Sequence, residues 1–262
     1  MRLAVWPGAA SAALADALLA SGVVTETTVV EPHEARALLD AEGADLVLLP
    51  TLDVLRAPDE IVVVPGVALA GERSDRRALV VAAPLDAVHT VAFDPRDQQE
   101  ALLAQLLLRE HYGGKPVFAL GAPGEDLDAW LQDADAALVP LDVARDAEAA
   151  GAVVLDLGQE FVDLTIRPMP WGLVAARIGT LAPQHAAALA DAARLADPTD
   201  ERLEIDGVAA FQLTLDGYAA DGLEQLAELW FQTGTLTDIA DVPFAPTVVP
   251  KETDGEDDED ED

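Results

Sequence analysis

Short apolar clusters recur along most of the chain, each followed by a stretch in which apolar residues return at every third or fourth position. The clusters at residues 3–6, 45–49, 61–64, 79–82, 88–93, 117–120, 136–139, 153–157 and 172–176 predict strands. The periodic stretches between them predict helices at 11–19, 33–39, 98–112, 127–132 and 143–149. Strands that alternate with amphipathic helices indicate an α/β protein with largely parallel sheets. From residue 183 the pattern changes to helices alone, at 186–195 and 223–233. There Leu223, Leu226, Ala227 and Trp230 share one face, a spacing that reads as core packing.

The first twenty residues allow two readings. A basic start, an apolar stretch and small residues resemble an export signal, which would suit an exported solute-binding protein. The alternative is a strand, a turn at Pro7 and Gly8, and a helix from about Ser11. One arginine and an internal Pro-Gly make a poor signal, so the strand and helix are preferred and a cytoplasmic location is expected.

Charge narrows the partners. The chain carries 49 acidic and 15 basic residues, a net charge of −34, and its only lysines are Lys115 and Lys251. Such a surface repels phosphate backbones and anionic headgroups, so neither nucleic acid nor a membrane is an expected partner. Acid spread along the whole chain also suggests adaptation to high salt, which screens self-repulsion. The final stretch, residues 251–262, has little to bury and strong self-repulsion, and reads as a disordered acidic tail.

Strong catalytic motifs are absent. With no cysteine and four scattered histidines, His33, His89, His111 and His185, a metal site is not expected. Phosphate-loop, dinucleotide-fold and nucleophile-elbow patterns are missing, and no cofactor is implied. The glycines of "YGGKP" at residues 112–116 read as a helix stop.

Four segments taken in order carry a resemblance: "ADLVLLPTLDVLR" from Ala44, "VVVPGVALAG" from Val62, "VAFDPRDQQEALLAQLLLREHYG" from Val91, and "DAALVPLDVA" from Asp135 with "DLGQEFVDLTIRPMPWGLVAAR" from Asp156. Together they resemble the chorismate dehydratases of the futalosine route to menaquinone, over most of residues 1–235. The resemblance implies a two-lobed type II periplasmic-binding-protein-like fold with a ligand cleft between the lobes. The first lobe would take residues 1–83 and 183–250, and the second residues 84–182. The family's reaction removes water from chorismate, so a small carboxylate ligand is implied.

In the cleft this chain departs from the family. The asparagine implicated in proton abstraction falls on Ala10, and a hydroxyl-rich run at the start of the second lobe's longest helix falls on Asp97, Gln98, Gln99 and Glu100. A glycine beside Asp142 is replaced by Leu141. No residue is therefore assigned to catalysis, and a non-catalytic binding protein on the same scaffold is the alternative to a lyase. Asp97 and Glu100 have the spacing of a self-made helix cap. The candidate ligand contacts are Thr51, Arg96, Asp97, Gln98, Gln99 and Asp142, with Arg96 the nearby cation for a carboxylate and the glutamines amide donors. For Thr51 and Asp142 a helix cap is the competing role. Trp171 and Arg167 are further candidates for the cleft wall.

Overall fold

The computed structural model describes residues 1–121, 127–196, 204–205, 208–209, 211–239 and 241–247. The acidic tail expected at 251–262 lies outside the described residues. Strand β1 (Arg2–Val5) leads into helix α1 (Ala9–Ala20), then β2 (Glu26–Val29), α2 (Pro32–Asp40), β3 (Leu46–Pro50), α3 (Thr51–Arg56) and the long β4 (Ile61–Gly71). Next come β5 (Arg77–Val81), β6 (Thr90–Phe93), α4 (Gln98–Glu110), β7 (Val117–Leu120), α5 (Leu127–Leu131), β8 (Ala136–Pro140), α6 (Leu141–Ala149), β9 (Val153–Asp156) and α7 (Leu157–Thr165). The chain closes with β10 (Met169–Arg177), α8 (Pro183–Leu195), β11 (Glu204–Ile205), β12 (Val208–Ala209), β13 (Phe211–Gln212) and α9 (Gly217–Gln232).

These elements form two α/β lobes. A six-stranded sheet has the order β13-β4-β10-β3-β1-β2, and a five-stranded sheet the order β7-β6-β8-β5-β9. Both are mixed rather than largely parallel. Strand β1 runs parallel to β2 and β3, and β6 parallel to β7 and β8, because helices return the chain between them. Strand β10 runs antiparallel to β3 and β4, and β5 antiparallel to β8 and β9. These are the strands that receive the chain as it passes between sheets, so they enter from the opposite end.

The same passages move the expected boundaries. Strand β5 pairs within the five-stranded sheet and β10 within the six-stranded one. The changes of sheet therefore fall at residues 72–76 and 157–168 instead of near 83 and 183. The all-helical ending expected after residue 183 is also incomplete, since β13 pairs with β4 at the sheet edge.

Burial follows the apolar clusters. Leu3, Leu46, Leu48, Val63 and Leu173 are fully buried, as the continuous apolar runs of strands covered on both faces require. Strand β2 escapes the apolar pattern because all its residues are exposed; it is an edge strand recruited through β1's main chain. The face of Leu223, Leu226, Ala227 and Trp230 is buried. At the end of α4 the Gly113 amide bonds to the Arg109 carbonyl and the Gly114 amide to that of Leu108. Gly113 adopts φ 70°, so the glycine stop forms as expected.

Candidate functional site

Helix α4 begins in the cleft between the lobes, where the ends of β1, β3 and β6 meet. Trp6, Pro50, Asp53, Pro95, Gln98 and Gln99 help line a cavity of ≈ 150 Å³ there. Ordinary ligand pockets run to roughly 300–1,000 Å³, so this cavity is a small one.

Gln99 is the main tie across it. Its side-chain oxygen accepts the Leu52 N–H at 2.9 Å, and its amide nitrogen donates to the Trp171 carbonyl at 2.8 Å. Both partners belong to the six-stranded lobe, while α4 packs on the other. Arg56 reinforces the tie by donating to the Gln98 oxygen at 2.9 Å.

Charge is concentrated behind these glutamines. Arg76 lies 3.2 Å from Glu100, 3.4 Å from Asp97 and 3.8 Å from Glu31, and Arg77 lies 2.6 Å from Asp97. Asp97 is 2% exposed and Glu100 6%. Burying carboxylates this deep is costly without such partners. The self-capping expected of Asp97 and Glu100 is thereby overturned. Asp97 holds the cap position of α4 with no side-chain bond to the helix, because two guanidinium groups outcompete neutral N–H donors.

The other candidates divide. Arg96 lines the cleft, but Asp94 takes its guanidinium at 2.5 Å, and that bond holds the Asp94 carboxyl below its ordinary pKa. Thr51 is neither a cap nor a cleft contact: it sits inside the first turn of α3, and its hydroxyl donates to the Pro170 carbonyl at 2.5 Å. Asp142 is exposed inside the first turn of α6, where it accepts the Val143 N–H. It is not among the residues that line the cleft. Arg167 points elsewhere, pairing with Asp221 and covering the Tyr218 ring. Trp171 does meet the cleft, through its carbonyl.

Sequence reasoning missed a set of buried polar atoms without partners. Among the described residues five buried side-chain polar atoms have no hydrogen-bond partner: Trp6 Nε1, Ser11 Oγ, Asp75 Oδ2, Trp171 Nε1 and Trp230 Nε1. Two of these residues have a place by the cleft: Trp6 lines it, and Asp75 lies against the turn into α1. Trp6 and Ser11 flank the turn into α1, and a Cβ on Gly8 would fall 2.6 Å from Asp75 Oδ2. A Cβ on Gly172, next to Trp171, would fall 2.4 Å from the Trp6 ring.

Gly8 caps α1 without a side chain, so the first-turn N–H groups add to the donors in this corner. Burial raises the Asp75 carboxyl to about 6, against the pull of Arg76 and with a smaller push from Glu100. Burial also raises Asp53 above its ordinary value. Buried unpaired polar groups are uncommon, and Trp6 and Asp75 bring two of them to the turn between β1 and α1. The signal that could have found Asp75 was its place in a charged SDRR run between two apolar strands. No helix among the described residues is long and apolar enough to cross a membrane, and no cluster of metal-ligating side chains occurs among them.

Solved structures share this architecture. Protein AF1704 from Archaeoglobus fulgidus superposes with a TM-score of 0.59 at 18% identity, covering 90% of this chain and 98% of its own. An ABC transporter protein from Parabacteroides distasonis gives 0.63 at 17%, covering 95% and 99%. The periplasmic aliphatic sulphonate binding protein SsuA of Escherichia coli gives 0.62 at 13%, covering 95% and 93%. The fold is therefore the type II periplasmic-binding-protein-like one. No curated protein matches the chain in sequence. The sequence model of the menaquinone biosynthesis family does match it, over residues 1–202, and with the cleft and lobes in place the chain belongs to that family, the family of the chorismate dehydratases.

Proposed function

We propose that this protein binds a small carboxylate metabolite in the interlobe cleft and does not dehydrate chorismate. The observation that carries this reading is the cleft itself, lined at the start of α4 by the amide side chains of Gln98 and Gln99 and by Arg96, with the unpartnered indole N–H of Trp6 as a further donor among its lining residues. Neutral donors at a helix start suit a carboxylate. Gln98, Gln99 and Arg96, which line the cleft, would complete the contacts once the lobes part, whereas Thr51 and Asp142 are committed to main-chain bonds. Turnover lacks support because Ala10 offers no functional group where the family carries its asparagine.

The lobes are taken to divide as their sheets do, with residues 77–156 forming the second.

The lyase reading is favoured by one feature. Asp75 is a half-buried residue whose Oδ2 is enclosed and unpartnered and whose pKa is raised, so it could accept a ring proton. Incubation of the purified protein with chorismate in concentrated salt separates the readings. A thermal shift without a dehydrated product is expected. Product that disappears in Asp75→Asn would establish the lyase instead, and the absence of any shift would remove chorismate-like carboxylates as ligands.

A further inference from the structure

Two arginines stand apart from the rest. Among the described residues every other arginine commits its side chain to an oxygen of the protein, as Arg2 does to Asp45, Arg56 to Gln98 and Arg177 to the Leu39 carbonyl. The side chains of Arg73 and Arg145 form no hydrogen bond or ion pair with the described residues. In a chain with 49 acidic residues, a guanidinium that finds no carboxylate among the described residues is conspicuous. Both line the same cavity of ≈ 330 Å³, larger than the cleft and formed by the passage between the sheets together with α6, β9 and the start of α7.

The acidic residues in its walls do not answer for these cations. Asp156 accepts the N–H groups of Ser74, Gly158 and Gln159 at 2.9–3.3 Å, so its contribution toward Arg73 is a through-space attraction. Glu160 accepts the Tyr112 hydroxyl at 2.6 Å. Glu148 lies one turn along α6 from Arg145, a spacing that permits an ion pair, yet none forms.

We propose that this cavity is a second ligand site, separate from the cleft, that takes a small oxyanion such as a metabolite's phosphate group between Arg73 and Arg145. Planar guanidinium groups grip phosphate oxygens in pairs, which a lone ammonium cannot do. The site also adjoins the joint between lobes. Arg73 lies three residues before Arg76, the cation that holds Asp97 and Glu100. A Cβ on Gly158 would fall 2.7 Å from the Arg73 backbone, so only glycine lets α7 press directly on this passage. An oxyanion joining Arg73 to Arg145 would tie that passage to α6.

Inorganic phosphate titrated into the intact protein by calorimetry, at modest potassium chloride, tests the site. One saturable event is expected. Arg73→Gln and Arg145→Gln should each weaken it by about tenfold or more. Arg194→Gln, which removes an exposed arginine already paired with Asp191, should leave it unchanged. Absence of saturable binding, or equal binding by the wild type and both cavity variants, overturns the proposal. Arg145 is exposed and unpaired among the described residues, so its variant should melt with the wild type. The thermal shift with chorismate on that same sample reports the cleft independently.

Discussion

Helix α4 and helix α7, which opens the passage back to the six-stranded sheet, both begin with an aspartate at the cap position, and the two aspartates do different work. At α7, Asp156 turns inward and accepts the N–H groups of Gly158 and Gln159, as a cap should. At α4, Asp97 leaves the helix uncapped and meets Arg76 and Arg77. The difference lies outside both helices. The passage from β4 to β5 brings two guanidinium groups to α4, whereas it presents α7 with the Ser74 N–H and with Arg73 at longer range. A cap is a competition among donors, and the strongest donor in reach wins.

The start of α1 is a third case. Gly8 supplies no side chain, and the nearest carboxyl, Asp75, leaves one oxygen unpartnered. A cleft that receives a ligand needs such an uncommitted corner. A cleft wall that holds two lobes together needs the opposite.

Removing Arg76 breaks the comparison most sharply. Arg77 would still hold Asp97, but Glu100 would be buried without its partner. Arg76→Ala should therefore cost about 3–5 kcal/mol, read as a lower urea midpoint in concentrated salt. A loss under 1 kcal/mol would mean that the pairs at α4 contribute no more than surface ion pairs.

Asp75→Asn sharpens the contrast through pH. Below about pH 4 the Asp75 carboxyl is protonated in the folded and unfolded chains alike and contributes nothing. Between its ordinary value of 3.8 and about 6 the unfolded chain releases the proton while the folded one keeps it, so stability falls as pH rises. Above that range the penalty is complete, on the order of 3 kcal/mol. Asp75→Asn should thus stabilise the protein at pH 8 by about that amount and have little effect at pH 4. Equal effects at both pH values would contradict the burial of Asp75.

The smallest effect is expected at α7. Asp156→Ala removes the cap and exposes three N–H groups to competition from water, at a cost of about 1 kcal/mol. Relief of a carboxyl that burial has pushed above its ordinary pKa offsets part of the loss. Unfolding midpoints of this variant and Asp97→Ala, measured together, would show whether the two aspartates differ as their partners do.

Much of the scaffold was legible because burial leaves a local trace. Apolar runs marked β1, β3 and β8, and helical spacing marked the core face of α9, since a sheet covered on both faces and a helix covered on one each impose a period on the chain. Edge strand β2 and helices α3 and α7 left weaker traces. Strand β2 is exposed, and the two helices follow directly on strands, so their apolar residues merge with the preceding run.

Sequence by itself determined the alternation of strands and helices, the acidic surface, the glycine stop after α4 and the family resemblance. All of these rest on neighbours in the chain or on composition. Only the tertiary structure decided that Asp97 serves arginines instead of its helix, that Gln99 spans the lobes, and that Thr51 bonds to Pro170. It also brought Asp75 against Gly8 and the Trp6 ring against Gly172. The partners in these contacts lie far apart in sequence, and a hydrogen bond or ion pair goes to whichever group the fold carries within about 3 Å.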